Sequence, residues 1–209
     1  MKLLLLGSTG LVGRHVLELA LADHRIDAVI APVRRELPAH PKLFAPVLDF
    51  DKLPDAAPWW QVDAVICALG TTIKVAGSQE AFRRVDHDYP LAIGRLARHQ
   101  GVPAYVLNSA KGADASSRIF YSRVKGELED DLRKLDFPSL TFVRPGLIGG
   151  ERTEYRAGEK IMTAVLTVLA PLLPRAWRIN PAERIARAML DAAIERKPGV
   201  HVVSSDRLN

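Results

Sequence analysis

Short apolar runs alternate with amphipathic stretches along most of the chain, and this alternation is the strongest guide to its fold. The apolar runs are continuous, without regular polar positions between them, which is typical of strands covered on both faces. They predict strands at Lys2–Leu6, Asp27–Ala31, Ala45–Asp49, Val62–Leu69, Ala104–Asn108, Ser139–Arg144 and Val200–Ser204. The amphipathic stretches predict helices at Leu11–Ala22, Ser78–Gln100, Ser117–Leu135, Gly158–Leu169 and Pro181–Glu195.

The order of these elements sets the topology that we expect. Repeated alternation of strand and helix favours parallel pairing through right-handed crossovers. The predicted fold class is therefore α/β, a doubly wound parallel-sheet Rossmann fold with a small helical C-terminal extension. A chain of 209 residues suits one such domain, so we expect a single domain over residues 1–209, with residues 146–180 shaping a substrate pocket.

A glycine-rich bend joins the first predicted strand to the first helix. Gly7 permits a tight turn, Gly10 lets the backbone approach a pyrophosphate, and Gly13 lets the helix pack against the sheet. The helix N-terminus then offers unpaired N–H groups to the phosphates. The alternative is a merely structural turn. In this strand–turn–helix context the motif predicts a nicotinamide dinucleotide site made of Gly7, Ser8, Thr9, Gly10, Leu11, Val12 and Gly13.

The residues after the second strand indicate which dinucleotide is bound. A carboxylate there would hold a ribose 2′-hydroxyl and favour NAD(H), whereas this chain has Arg34 and Arg35. Arginine can pair bidentately with a 2′-phosphate, so we expect NADP(H), with Arg14 adding to the positive charge. The alternative is that Arg34 and Arg35 are plain surface residues. Further cofactor contacts are expected at the ends of later strands, from Asp49, Leu69, Gly70 and Pro145.

Tyr121 and Lys125 are candidates for the chemistry. They lie four residues apart on a predicted helix and therefore share one face. A nearby ammonium lowers the pKa of a tyrosine from about 10, which suits it to trade a proton with a substrate alcohol or carbonyl. Lys125 is also expected to hold the nicotinamide ribose. Ser109 follows the fifth strand and could hydrogen-bond the same substrate oxygen, since ligands bind at this edge of such sheets.

These motifs resemble those of the short-chain dehydrogenase/reductase superfamily in its extended or atypical branch. Within it, the stretches Leu69–Tyr89, Ser109–Ser117 and Tyr121–Glu127 are similar to the oxidoreductase-like Tat-interacting protein family, with this chain as a bacterial-type relative. The resemblance covers most of residues 1–150. It implies NADP(H) binding and the roles already given to Ser109, Tyr121 and Lys125.

Two features depart from the extended members that act on nucleotide sugars. Those members usually carry asparagine on the long helix, where this chain has Asp86, and they have a larger C-terminal substrate domain. Three hypotheses stay open. The first is an NADP(H)-dependent oxidoreductase acting on an unknown carbonyl or alcohol. The second is an NADPH-responsive regulatory binding protein with little turnover, and the third is a nucleotide-sugar epimerase or dehydratase.

Composition and charge bear on the partners, the cellular compartment and the metal sites that we expect. The net charge of +5 comes from scattered, interleaved residues, so we expect no nucleic-acid partner. The single cysteine, Cys67, lies in an apolar run and is predicted to be a buried strand residue in a reducing compartment, which together with the short N-terminal apolar run favours the cytoplasm. No apolar stretch of the sequence is long enough to span a bilayer. The sequence also shows no cluster of metal ligands. His87 is therefore predicted to lie at the surface or behind the site. A homo-oligomer or a protein partner stays open.

Overall fold

The computed structural model describes residues 1–54, 56–149 and 179–209. The predicted helix Gly158–Leu169 and most of the predicted pocket segment 146–180 lie outside the described residues.

A parallel sheet forms the centre of the molecule. Seven strands pair in the order β3-β2-β1-β4-β5-β6-β9, and β7 and β8 form a separate parallel pair. Every pairing in the large sheet is parallel, which confirms the predicted doubly wound fold. The strands are β1 Lys2–Leu6, β2 Ala28–Ile30, β3 Leu43–Phe44, β4 Ala64–Cys67, β5 Ala104–Asn108, β6 Ser139–Arg144, β7 Ile148–Gly149, β8 Asn180–Pro181 and β9 Gly199–Ser204.

Helices cover both faces of the sheet. They are α1 Leu11–Ala22, α2 Ile73–Ala76, α3 Gln79–Arg83, a π-helical turn at Arg84–Asp88, α4 Tyr89–His99, α5 Phe120–Arg133 and α6 Ala182–Glu195, with short 3-10 turns at Pro58–Trp60 and Ser205–Leu208. Because successive side chains of a strand point to opposite faces, β1 serves two core layers. Leu3 and Leu5 pack with α1 and α6, whereas Leu4 and Leu6 pack with α4 and α5.

Several elements differ from their predicted form: α2, β7 and β8 were not predicted, β4 is shorter than the predicted Val62–Leu69, and the third strand and the long helix differ in kind. The third strand was predicted at Ala45–Asp49, but β3 pairs with β2 two residues earlier and only an isolated bridge between Val33 and Val47 continues the pairing. The predicted helix Ser78–Gln100 begins and ends as expected, since the Ser78 hydroxyl accepts the N–H of Ala81 and Gln100 is the C-cap. It is, however, divided by the π-helical turn, which sequence periodicity did not reveal.

Asn180 ties the end of β6 to the C-terminal turn. Its side-chain oxygen accepts the N–H of Gly146 at 2.7 Å and the hydroxyl of Ser205 at 2.9 Å, and its side-chain nitrogen donates to the Ser205 carbonyl and to Asn209. The residue is fully buried, so these groups depend on one another for hydrogen bonds.

We expect Asn180→Ala to lower the free energy of unfolding by about 2–4 kcal/mol, because it leaves several buried polar groups without partners. Ser205→Ala removes only one of the Asn180 contacts and should cost about 1 kcal/mol. Urea unfolding of the two variants measures both values. Equal losses would contradict the assignment of Asn180 as the centre of this cluster.

Candidate functional site

The β1–α1 bend lies beside the end of β4, where the strand order of the sheet reverses. Gly7 has a φ of +78°, and a Cβ atom there would lie 2.7 Å from the Ala68 carbonyl group. A Cβ atom on Gly13 would overlap the Gly7 carbonyl. The close approach of the bend to helix α1 therefore requires glycine at both positions. The bend is closed by the Gly10 N–H, which donates to the Gly7 carbonyl at 2.9 Å. The predicted glycine bend is therefore formed at the topological switch point.

The start of helix α1 has features that fit an anion. Gly10 is the N-cap and supplies no side-chain cap, and the first turn carries no acidic residue. Ser8 is 1% exposed, and its hydroxyl has no hydrogen-bond partner among the described residues. Thr9 is exposed and Leu11 half-buried, while Val12 packs into the core. A buried hydroxyl beside unpaired N–H groups can hydrogen-bond the phosphate oxygens of a dinucleotide.

The residues predicted to meet the adenosine end lie on the other side of the bend. Arg34 and Arg35 are exposed directly after the Val33 bridge. Asp49 is also exposed, and its carboxylate accepts the N–H of Asp51 at 3.0 Å, so it caps a turn. No hydrogen bond or ion pair of Arg34 or Arg35 is seen within the described part of the chain, and their guanidinium groups are accessible to an anionic ligand.

The ends of β4 and β6 supply the other predicted cofactor contacts. Leu69 is half-buried and Gly70 is exposed, directly after β4. Pro145 is buried after β6, and its carbonyl accepts the N–H of Lys111 at 2.7 Å. Asn108, at the end of β5, has a buried side-chain oxygen with no partner among the described residues. These groups line the carboxyl edge of neighbouring strands, where parallel sheets bind ligands.

Lys125 is buried and carries an ion pair that sequence reasoning missed. Its Nζ atom lies 2.7 Å from Oδ1 of Asp86, and neither side chain is more than 4% exposed. The second carboxylate oxygen of Asp86 accepts the N–H of Thr71 at 2.8 Å. Burial lowers the pKa of Lys125, but the Asp86 carboxylate, together with Tyr121, outweighs burial and raises it overall. Lys125 is therefore held as a charged ammonium.

Tyr121 lies one helical turn before Lys125 and is 39% exposed. Its ring packs against Phe82 of α3, with 5.8 Å between the ring centroids. Tyr121 is thus an accessible phenol beside a buried cation, as the four-residue spacing predicted. Such a pair can move a proton to or from a bound oxygen atom.

Ser109 contacts a second buried carboxylate. Its hydroxyl donates to Oε1 of Glu129 at 2.6 Å, and the guanidinium of Arg144 binds the same carboxylate through two nitrogens. This contact raises the pKa of Arg144. Ser109 was expected to serve a substrate oxygen, but in this structure its proton is directed to Glu129. The spacing of Tyr121, Lys125 and Glu129, four residues each, was the signal that could have placed Glu129 on the same helix face.

Two further side chains can be compared with their predicted positions. Cys67 is buried at the end of β4, as predicted, and burial raises the pKa of its thiol. His87 is 5% exposed, so a surface position is wrong. Its ring lies between Asp88 and Asp131, because the π-helical turn directs both Asp86 and His87 away from solvent.

Among the described residues, no cluster of His, Cys, Asp and Glu could hold a metal ion, and no helix has the length and apolar character to cross a membrane.

The chain is similar over most of its length to curated proteins of fungi and mammals. It is 33% identical to "Protein FMP52, mitochondrial" of Meyerozyma guilliermondii, over 100% of this chain and 94% of that protein. It is 34% identical to Protein HTATIP2 of Rattus norvegicus, over 93% of this chain and 82% of that protein. Models of protein families give no match.

Solved structures share the fold at low sequence identity. MoeE5 in complex with UDP-glucose and NAD superposes with a TM-score of 0.74 at 15% identity, covering 97% of this chain and 75% of that one. The Bordetella bronchiseptica enzyme WbmH in complex with NAD+ gives a TM-score of 0.70 at 16% identity, covering 98% and 75%. These superpositions support the Rossmann-type architecture.

The expected cytoplasmic location is wrong in the light of these relatives. Several of the similar fungal proteins are named mitochondrial. The expectation rested on the single Cys67 and on the short N-terminal apolar run. A single cysteine argues against an oxidising compartment but does not distinguish between reducing ones.

A relative that is 33% identical over 100% of this chain and 94% of its own length shows a shared family. The chain belongs to the family that includes the FMP52 proteins and HTATIP2.

Proposed function

We propose that the chain is an NADP(H)-dependent oxidoreductase that acts on a carbonyl or alcohol substrate. The observation that carries the proposal is the placement of an uncapped helix N-terminus and an accessible phenol beside a buried ammonium at one edge of the sheet. The helix N-terminus can bind a dinucleotide, and the phenol beside the ammonium can exchange a proton with the substrate. When bound, the nicotinamide supplies or accepts the hydride.

The glycine bend would hold the pyrophosphate. Its N–H groups at the start of α1 would donate hydrogen bonds to the phosphate oxygens, and so would the Ser8 hydroxyl, which has no partner among the described residues. Leu69, Gly70 and Pro145 would contact the cofactor along the ends of β4 and β6, and Asp49 would lie beside the adenine. The Lys125 ammonium has three N–H groups and binds Asp86. Its other N–H groups would donate hydrogen bonds to the nicotinamide ribose.

The preference for NADP(H) over NAD(H) is proposed from the two arginines after β2. Arg34 and Arg35 are exposed where a carboxylate would otherwise bind a ribose 2′-hydroxyl. A guanidinium can form two parallel hydrogen bonds with a 2′-phosphate, whereas an unphosphorylated ribose offers it no charged partner.

Proton transfer in the proposed reaction belongs to Tyr121. Its exposed hydroxyl would donate a proton to a substrate carbonyl oxygen during reduction and accept one from an alcohol during oxidation. The ammonium of Lys125, one helical turn away, would lie beside the phenolate that reduction leaves behind. Ser109 would anchor the substrate oxygen. Since its proton is directed to Glu129, its lone pairs are available to a substrate hydroxyl.

A second candidate function is an NADPH-responsive protein that binds a partner and turns over little substrate. Large apolar side chains are exposed after β4, β5 and β6, with Val75 at 66%, Ile119 at 67% and Leu147 at 59% exposure. Exposed apolar side chains at a ligand-binding edge are the kind of surface that a partner protein covers. Partner affinity that is unchanged by NADPH would count against this alternative.

Replacing both arginines, as Arg34→Ser with Arg35→Ser, should weaken NADPH binding by about 10- to 100-fold, because charge-assisted hydrogen bonds to the 2′-phosphate are lost. NADH binding should change little. Calorimetry with both nucleotides measures the difference, with Lys197→Ser as a control at the opposite edge of the sheet. An equal loss for NADPH and NADH would refute the assignment of these residues to the 2′-phosphate.

Tyr121→Phe should reduce turnover by about 100-fold or more while NADPH affinity and thermal stability are kept, because only the proton donor is removed. The assay is NADPH oxidation with a panel of aldehydes and ketones, next to a thermal-shift comparison of NADPH, NADH and UDP-sugars. Parental turnover by this variant would show that another group moves the proton. Stabilisation by UDP-sugars would instead favour the epimerase or dehydratase alternative.

A further inference from the structure

Asp86 is a buried carboxylate that contacts two parts of the candidate site at once. Oδ1 binds the Lys125 ammonium at 2.7 Å, and Oδ2 accepts the backbone N–H of Thr71 at 2.8 Å. Thr71 follows Gly70 in the loop after β4, and a Cβ atom on Gly70 would lie 3.5 Å from the carboxylate. Asp86 therefore joins helix α5 to the loop that would line the cofactor.

The backbone around Asp86 is arranged for this contact. Asp86 lies in the π-helical turn Arg84–Asp88, and such turns in long helices occur frequently at functional sites. Contacts on both sides hold the segment against α5. One is an ion pair between Arg83 and Glu127, and the other is a hydrogen bond between the His87 ring and the Asp131 carboxylate. The orientation of Asp86 toward Lys125 is thus supported from both ends of the turn.

Asp86 also provides the charge that Lys125 needs. An ammonium buried without a partner loses its proton readily, since burial disfavours the charged form. The other titratable groups facing Lys125 within the described residues are Tyr121 on α5, Cys67 on β4 and, against Cys67, Tyr105 on β5. Burial raises the pKa of the Cys67 thiol and raises that of Tyr105 well above its usual value, so both stay neutral. His87 faces Asp88 and Asp131 instead.

We propose that Asp86 is a positioning residue that keeps Lys125 charged and directed at the cofactor, so that dinucleotide affinity does not vary with pH across the neutral range. The inference rests on the proposed function, in which Lys125 holds the nicotinamide ribose. With Asp86 present the buried ammonium is available at neutral and mildly alkaline pH, and without it the protonation of Lys125 would limit binding.

The test is calorimetry of NADPH binding to the full chain from about pH 6 to about pH 9, with Asp86→Asn as the variant. Asparagine keeps the shape and can still accept the Thr71 N–H, but it removes the charge. The parent should bind with nearly constant affinity. Asp86→Asn should match the parent near the acidic limit and lose about tenfold near the alkaline limit, as Lys125 gives up its proton. Asp86→Glu, which keeps a carboxylate, should restore much of the constant affinity.

Two controls separate positioning from a general structural effect. In a Lys125→Met background, Asp86→Asn should add no pH dependence, because the group through which Asp86 acts is gone. Glu129→Gln removes a comparable buried carboxylate that binds Arg144 and not Lys125, so it should lower stability and leave the pH profile flat. An affinity loss that is equal at every pH, or that persists in the Lys125→Met background, would overturn the proposal.

The outcomes also distinguish this inference from the function on which it rests. No NADPH binding by the parent would refute the proposed function, whereas parental binding with a flat Asp86→Asn profile would refute only the role of Asp86. If Asp86→Asn does not fold, calorimetry of NADPH binding to the parent in two buffers of different ionisation enthalpy measures the protons taken up on binding, and this number tests the proposal. At about pH 8, where an unpartnered buried lysine would be partly neutral, no proton uptake is expected on binding. Uptake there would overturn the proposal.

Discussion

The candidate site depends on how closely the β1–α1 bend approaches the end of β4. No side chain fits at Gly7 or Gly13, so backbone lies against backbone where the strand order reverses. This contact places the start of α1 beside the loop that follows Ala68, at the carboxyl end of β4. Asn108, Ser109 and Pro145 lie where β5 and β6 end at the same edge, and helix α5 brings Tyr121 and Lys125 to it.

Buried carboxylates organise the other half of the site. Lys125 is bound by Asp86, and Ser109 is bound by Glu129, which is itself neutralised by Arg144. Each polar side chain is thus supported by a partner on a neighbouring element, and leaving any one of these buried groups unpaired would be costly. Tyr121 differs, because it is accessible to solvent and packs through its ring alone on Phe82. Tyr121 is therefore an exposed side chain next to side chains that buried partners hold in place.

Much of this arrangement could be predicted from the sequence, and the reasons for the exceptions are physical. Buried parallel strands need apolar residues on both faces, so β1, β5 and β6 were placed at their observed bounds. The strand β3 pairs over only two residues and left a weak signal. Helical spacing identified Tyr121 and Lys125, whereas the pairing of Asp86 with Lys125 depends on a π-helical turn that leaves no periodic trace.

Helix α5 carries Tyr121, Lys125 and Glu129 at intervals of four residues. This spacing affects the register in which the helix packs during folding. A slip of α5 by a single turn would carry Glu129 toward Asp86, or Lys125 toward Arg144. Either mismatch would confront two like charges away from water, which is far less favourable than the observed pairs. The charges that serve the site therefore also discriminate against misaligned packing of the helix that carries them.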